Sequence, residues 1–347
     1  MIAIFKTDLG IFVIQVQKFF LYIFCFLLLI DVVLADQNVS TLYIHGYTGN
    51  PEDVQKQKEA FSTPEKYQAP ALPDTQKEVG VGINRFIASV ARVWKKNLNI
   101  SQAFMGQGAD LKVIASSVEQ NFVDESFVLF GICRGGSAAI NYIAQYNPEN
   151  LKALIIEATP ASMPALLHAK MAKIGLSCKH DEKFFRFFFQ AYPKNSIPPV
   201  QAVKNILNKE LPILILHSKD DCNIPFEHAL MLYLSFKEHG FNNVFLVPLH
   251  GKHAYSLQED SLNYLTAVHS FYKNFGLAYN EKYATVAMNS YQYDLVKAQE
   301  KVALYEKKLQ QQLQKTHKKM ALGAGLAGAS IYAWNHLIEK NKRSAIG

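Results

Sequence analysis

The feature that most constrains the fold is a short apolar strand that turns through small residues directly into a helix. The strand is expected at 127–130, the turn is Gly131-Ile132-Cys133-Arg134-Gly135-Gly136, and the helix is expected at 137–146. Glycines on both sides of Cys133 allow the strand, the turn and the helix to approach one another closely. The dipole of the helix also favours a thiolate at its first residues. The segment therefore predicts a strained turn that presents Cys133 as a reactive thiol.

Apolar strands alternate with helices along much of the remaining chain. Asp110 is expected to cap a helix that precedes the Cys133 strand. This alternation predicts an α/β fold with a mostly parallel sheet between two layers of helices. Residues 76–108 interrupt the pattern as an insertion, and residues 161–207 interrupt it as a helical cap over the site. The other expected strands are 41–45, 67–72, 154–157, 213–217 and 244–248, and the other expected helices include 226–239 and 257–275.

Both ends of the chain lie outside the predicted folded domain, which covers residues 36–280. Residues 1–35 end in a nearly continuous apolar stretch, 19–35, and are typical of a signal peptide or an uncleaved signal anchor. The protein is therefore expected to be exported or membrane-associated. Residues 281–319 predict an amphipathic helix. Residues 320–338 predict an apolar helix rich in small residues, suited to a membrane segment or to contact with a helical partner.

The charge and the cysteine content of the chain limit which partners, metals and cofactors are expected. The net charge of +7 comes with a lysine excess concentrated between 297 and 343, so nucleic acid is not an expected partner. The cysteine and histidine spacings do not match a zinc site, and neither a metal nor a cofactor is expected. Of the four cysteines, Cys25 lies in the leader. A disulfide between Cys178 and Cys222 that leaves Cys133 reduced, or three isolated thiols, both remain open.

Several segments together resemble the α/β-hydrolase superfamily over about residues 41–276. The turn around Cys133 resembles the superfamily's nucleophile elbow, with cysteine in place of serine. The sequence Ile44-His45-Gly46-Tyr47-Thr48-Gly49 resembles its oxyanion loop. The resemblance implies that the backbone N–H groups of Tyr47 and Arg134 stabilise the negative charge that develops on a substrate oxygen.

The resemblance also implies which acid and which base accompany the cysteine. It favours Asp221 as the acid, because Asp221 stands three residues before Ile224 and the proline that follows, as in the superfamily's acid loop. Asp220 remains the alternative, since adjacent loop side chains cannot be ranked from sequence. It favours His253 as the base through a Gly-x-His pattern after the last strand, with His250 as the alternative. Nucleophile, acid and base then follow one another in the order expected for this fold.

Within the superfamily, the Gly-x-Cys-x-Gly-Gly pattern is most similar to the cysteine-nucleophile dienelactone hydrolases. The implied function is hydrolysis of a small-molecule acyl ester or thioester by Cys133, His253 and Asp221, through a thioester acyl-enzyme. Acyl transfer by the same three residues, and a catalytically silent binding domain, are the alternatives. The turn also resembles that of class I glutamine amidotransferases, but these need a His-x-Glu pair that the region around His250 does not contain.

Overall fold

The computed structural model describes residues 39–46, 67–68, 70, 108–162, 165–166, 169 and 197–315. Their centre is a six-stranded sheet in the order β2-β1-β3-β4-β5-β6. Each neighbouring pair of these strands is parallel, so the predicted α/β fold with its parallel sheet is confirmed. The strands are β1 (Ser40–Ile44), β2 (Tyr67–Gln68), β3 (Phe127–Ile132), β4 (Leu151–Glu157), β5 (Ile213–Ser218) and β6 (Val244–Leu249).

Helices cover both faces of the sheet. Leu129 and Leu154 point into one buried cluster, whereas Phe130 and Ile155 point into a second cluster on the opposite face. Because both faces are buried, the strands are continuous apolar runs rather than alternating ones. Among the described residues, the helices of four or more residues are α1 (Ala109–Asn121), α2 (Arg134–Tyr146), α3 (Pro199–Ala202), α4 (Glu227–Glu238), α5 (Ser256–Glu259), α6 (Ser261–Asn274) and α7 (295–315), with 3₁₀ turns at Val203–Asn205 and Met288–Tyr291.

The parallel sheet brings three predicted functional segments to one edge. Cys133 directly follows β3, Asp221 lies three residues beyond β5, and His253 lies four residues beyond β6. In open parallel sheets, ligands bind outside the carboxyl ends of the strands, where these three segments lie. The topology alone therefore places the candidate site at this edge.

The role predicted for Asp110 as a helix cap is wrong. Helix α1 begins at Ala109, Gly108 precedes it, and no side chain caps it. Asp110 is inside the helix and buried, where its carboxylate accepts a hydrogen bond from Arg134 Nε at 2.8 Å. Asp110 therefore pairs with a distant buried side chain instead of capping the helix.

At the C-terminal end, the helix predicted for residues 281–319 begins only at residue 295. Its start is fixed by Asp294, whose Oδ1 accepts the N–H of Lys297 at 2.9 Å, as an N-cap does. Before it, Tyr233 Oη donates to the carbonyl of Tyr293 at 3.0 Å and ties this segment to α4. Val302 then packs on the first buried cluster, so α7 contacts the domain through that side of its apolar stripe.

Several sequence predictions fall outside the described residues. These are the leader at 1–35, the insertion up to residue 107, most of the cap at 161–207, and the apolar helix at 320–338. Within the described ranges, no helix is both long enough and apolar enough to span a membrane. Cys178 is also outside these ranges, while Cys222 is an exposed free thiol.

Candidate active site

Cys133 lies in a strained backbone conformation at the turn between β3 and α2. Its φ is 53° and its ψ is −113°, in a region that residues other than glycine rarely adopt. Such strain costs on the order of 1–3 kcal/mol and persists only where surrounding contacts fix it. Here the N–H of Cys133 donates to the carbonyl of Glu157 at 2.8 Å, and the Cys133 carbonyl accepts from the N–H of Ser137 at 3.3 Å. The turn therefore holds the buried Cys133 thiol at the carboxyl edge of the sheet.

The two glycines after Cys133 are required by close packing. A Cβ at Gly135 would lie 2.0 Å from the carbonyl oxygen of Ile44, and a Cβ at Gly136 would lie 1.8 Å from Thr159 Oγ1. Both distances are far inside van der Waals contact. Helix α2 can therefore approach β1 and the segment after β4 only because these positions lack side chains.

His253 and Asp221 form a hydrogen-bonded pair beside this turn. His253 Nδ1–H donates to Asp221 Oδ2 at 2.7 Å. The other carboxylate oxygen, Oδ1, accepts the N–H groups of Asn223 at 2.8 Å and Ile224 at 2.9 Å. Burial alone would raise the pKa of Asp221, but these hydrogen bonds and the charge of His253 hold it below its usual value. Asp221 is therefore an ionised, fixed acceptor for the imidazole.

His253 also lies beside Cys133, which contributes to its electrostatics, and its Nδ1 is taken by Asp221. Burial opposes a charged imidazole, yet the charges and hydrogen bonds of Cys133 and Asp221 outweigh it and raise the pKa of His253 to about 10. A protonated imidazole beside a thiol favours the thiolate form. The high pKa of His253 therefore follows from its two neighbours, Cys133 and Asp221.

The alternative acid and base form a separate pair. Asp220 Oδ2 accepts a hydrogen bond from His250 Nδ1 at 2.9 Å, and both of these side chains are more than half exposed. By contrast, the side chain of Asp221 is fully buried and that of His253 is only 17% exposed. The structure thus brings Cys133, His253 and Asp221 together, and leaves Asp220 and His250 as a second Asp–His pair in solvent.

One of the two expected oxyanion donors is described. Arg134 is the first residue of α2, directly after Cys133. The other, Tyr47, lies outside the described residues, but a Cβ on its neighbour Gly46 would lie 3.4 Å from Cys133 Cβ. Gly46 therefore lies beside the Cys133 side chain. The Arg134 side chain is buried in its ion pair with Asp110, so its charge does not face a substrate.

Sequence reasoning missed two buried polar side chains near the site. Glu157, the last residue of β4, is fully buried and accepts a hydrogen bond from Tyr264 Oη at 2.6 Å. His217 donates from Nε2 to the carbonyl of Ile224 at 2.8 Å, and burial lowers its pKa, so it is a neutral support for the Asp221 loop. The sequence signal that could have found them was a polar residue at or near the end of an otherwise apolar strand.

Within the described ranges, no cluster of side chains could hold a metal ion.

The parallel sheet with helices on both faces, and with Cys133, Asp221 and His253 after β3, β5 and β6, agrees with the predicted α/β-hydrolase fold. Similar solved structures include an esterase from Pyrococcus furiosus (14% identity, 70% of this chain, 85% of that chain, TM-score 0.44). An acylaminoacyl peptidase from Pyrococcus horikoshii is also similar (16% identity, 76% of this chain, 40% of that chain, TM-score 0.43). So is a bromoperoxidase from Bacillus anthracis (13% identity, 68% of this chain, 92% of that chain, TM-score 0.42). This chain thus spans 40% of the length of the peptidase. No family model and no curated protein matches the sequence.

Proposed function

We propose that the protein is a hydrolase that cleaves a small-molecule ester or thioester through a covalent thioester on Cys133. The observation that carries this proposal is the position of His253 beside Cys133, with its ring bonded at 2.7 Å to the buried Asp221. In such an arrangement the base activates the nucleophile and the acid orients the base. The exposed Asp220–His250 pair lacks the desolvation that strengthens charge interactions in a catalytic site.

In the first half of the reaction, the Cys133 thiolate attacks the carbonyl carbon of the substrate. The carbonyl π electrons move to oxygen, and the N–H of Arg134 donates to the resulting oxyanion. As the tetrahedral intermediate collapses, the bond to the leaving oxygen or sulfur breaks and His253 gives that atom its proton. The products are a free alcohol or thiol and an acyl group joined to Cys133 as a thioester.

In the second half, neutral His253 removes a proton from a water molecule that attacks the thioester carbonyl. The carbon–sulfur bond then breaks, the carboxylic acid leaves, and Cys133 returns as the thiolate beside the imidazolium. Asp221 stabilises the imidazolium in both halves without itself becoming protonated.

The proposal is tested by intact-mass analysis of the full chain after exposure to short- and long-chain p-nitrophenyl esters. We expect a mass increment equal to the acyl group on the wild type and on Cys222→Ala, and none on Cys133→Ala. Cys222 is the matched control because it is an exposed free thiol three residues before Pro225, on the Asp221 loop. An adduct that is absent from Cys222→Ala would contradict the proposal. So would the absence of both adduct and hydrolysis when the wild-type thiols are shown to be reduced; the domain would then be a catalytically silent binding fold.

A further inference from the structure

Ser218 lies at the point where the loop that carries the acid meets the loop that carries the base. It is the last residue of β5, and it pairs in parallel register with the last residue of β6. The Asp221 loop, residues 219–225, follows β5, and the His253 loop, residues 250–255, follows β6. Ser218 is only 2% exposed. A buried serine is therefore placed between the two loops.

The side chain of Ser218 is hydrogen-bonded to the main chain of both loops. Its hydroxyl donates to the carbonyl oxygen of Gly251 at 2.5 Å, two residues before His253. Its Oγ also accepts the N–H of Asp220 at 3.0 Å, one residue before Asp221. One hydroxyl group thus connects the backbone beside the base to the backbone beside the acid.

The other side of the His253 loop is held from the junction of α5 and α6. Two carboxylates there accept backbone N–H groups of the loop, each at 3.0 Å: Asp260 from His250 and Glu259 from Lys252. These two bonds fix the loop relative to α6, but neither joins it to the Asp221 loop. Asp220 Oδ2 reaches the N–H of Gly251 at 3.4 Å, but this carboxylate is more than half exposed, so water competes for the bond. Ser218 supplies a buried link between the two loops.

The geometry of the His253–Asp221 pair depends on how the two loops lie relative to each other. Asp221 is fixed from within its own loop, since its Oδ1 accepts the N–H groups of Asn223 and Ile224. The bond of 2.7 Å from His253 Nδ1 to Asp221 Oδ2 joins side chains of different loops. A movement of the His253 loop by about 1 Å would take this bond outside hydrogen-bonding distance. The pair therefore requires the two loops to be held together.

We propose that Ser218 is a positioning residue, which acts through His253 by holding the His253 loop against the Asp221 loop. The catalytic consequence rests on the proposed function. Ser218→Ala should lower kcat for the p-nitrophenyl ester by about tenfold and leave KM unchanged, because a misplaced imidazole slows the chemical steps. The effect on the bond between His253 and Asp221 does not rest on it, because that bond exists in the absence of any ester.

The test is an NMR titration of His253 in the full chain with ¹³C-labelled histidine, its resonance being assigned by its absence from His253→Gln. Burial lowers the pKa of His253, but Cys133 and Asp221 raise it to about 10 in the wild type. Ser218→Ala removes the donor to the Gly251 carbonyl and releases the His253 loop. The bond to Asp221 then weakens, so the pKa of His253 should fall by about half a unit to one unit.

The matched control is Ser235→Ala, which removes a similar hydrogen bond from another part of the fold. Ser235, on α4, is 4% exposed, and its hydroxyl donates to the carbonyl of Val200 at 2.7 Å. Both variants leave a backbone carbonyl without its hydroxyl donor, so urea denaturation should show similar losses of stability. The pKa of His253 should keep its wild-type value in Ser235→Ala. An unchanged pKa in Ser218→Ala, or an equal decrease in both variants, would overturn the proposal.

A double variant shows whether Ser218 acts through the bond between His253 and Asp221. In Asp221→Asn the carboxylate is gone, so there is no charge for the His253 loop to be aligned with. Ser218→Ala made in this background should therefore lower the pKa of His253 by much less than it does in the wild type. Equal decreases in the two backgrounds would show that Ser218 affects His253 by another route and contradict the proposal.

A further variant, Ser218→Cys, keeps the test decisive if Ser218→Ala does not fold. Cysteine retains the shape of the side chain but is a weaker donor, so the pKa of His253 should fall in the same direction by a smaller amount. A wild-type pKa in Ser218→Cys would then contradict the role of Ser218. A lowered pKa in these variants, together with no ester hydrolysis by the wild type, contradicts only the proposed function.

Discussion

Asp221→Asn is expected to lower kcat for ester hydrolysis by roughly ten-thousandfold, the order of effect that follows when a triad acid loses its charge. The physical reason is the hydrogen bond of 2.7 Å from His253 Nδ1 to Asp221 Oδ2. An amide can donate as well as accept, so it no longer selects the tautomer that leaves Nε2 for Cys133, and it no longer stabilises the imidazolium. The measurement is steady-state hydrolysis of the p-nitrophenyl ester that labels Cys133.

Asp220→Asn is the matched control, because it makes the same chemical change one residue earlier on the same loop. Its carboxylate is exposed and pairs with His250 in solvent. Exposed ion pairs contribute little, so kcat should stay within about twofold of the wild-type value. His253→Gln and His250→Gln form a second matched pair with the same expected contrast. Equal losses in Asp220→Asn and Asp221→Asn would show that the wrong pair has been assigned to the chemistry.

The strands and the turn of this fold could be predicted because their causes are local. Each strand buried on both faces is an apolar run that sequence reveals directly, and β5, expected at 213–217, extends over Ile213–Ser218. The turn at Cys133 is equally visible, because close approach of the chain demands small residues beside it. Local sequence therefore determined both the fold class and the position of the thiol.

The choice between adjacent acids could not be made from local sequence alone. Asp220 and Asp221 have the same side chain on the same loop, and they differ only in which one turns inward. The N–H groups of Asn223 and Ile224 both point at Asp221, and that geometry buries its carboxylate. Only the resemblance to a family pattern favoured Asp221 beforehand. Folding supplies the physical reason.

Roles that depend on distant residues were missed or misassigned. Glu157 looks like the polar end of a strand until Tyr264, 107 residues later, donates to it. Asp110 and Arg134 were each given a local role, as a helix cap and as a backbone donor. Their side chains instead pair with each other across 24 residues, inside the protein. Such pairs are set by the packing of α1 against α2, which no short sequence pattern reports.

Asp110→Ala is expected to lower the free energy of unfolding by about 3–5 kcal/mol, because it removes a buried carboxylate that is ion-paired with the buried Arg134 guanidinium. Both side chains are only 2% exposed, so water cannot replace the carboxylate. The measurement is urea denaturation of the full chain. Asp220→Ala, which removes an exposed carboxylate, should change the free energy of unfolding by less than about 1 kcal/mol. If Asp110→Ala lowered the free energy of unfolding by less than about 1 kcal/mol as well, the ion pair would not be shielded from water.

The double variant Asp110→Leu with Arg134→Met separates the cost of an unpaired charge from the loss of the pair itself. Replacing a buried ion pair by apolar side chains of similar size is often neutral or stabilising, so the double variant should recover most of the stability lost in Asp110→Ala. It also retains the backbone N–H of residue 134, which is the proposed oxyanion donor. Recovery of stability together with hydrolysis would mean that the ion pair supports the Cys133 turn without taking part in the chemistry. Recovery of stability without hydrolysis would mean that the pair holds that N–H in its catalytic position.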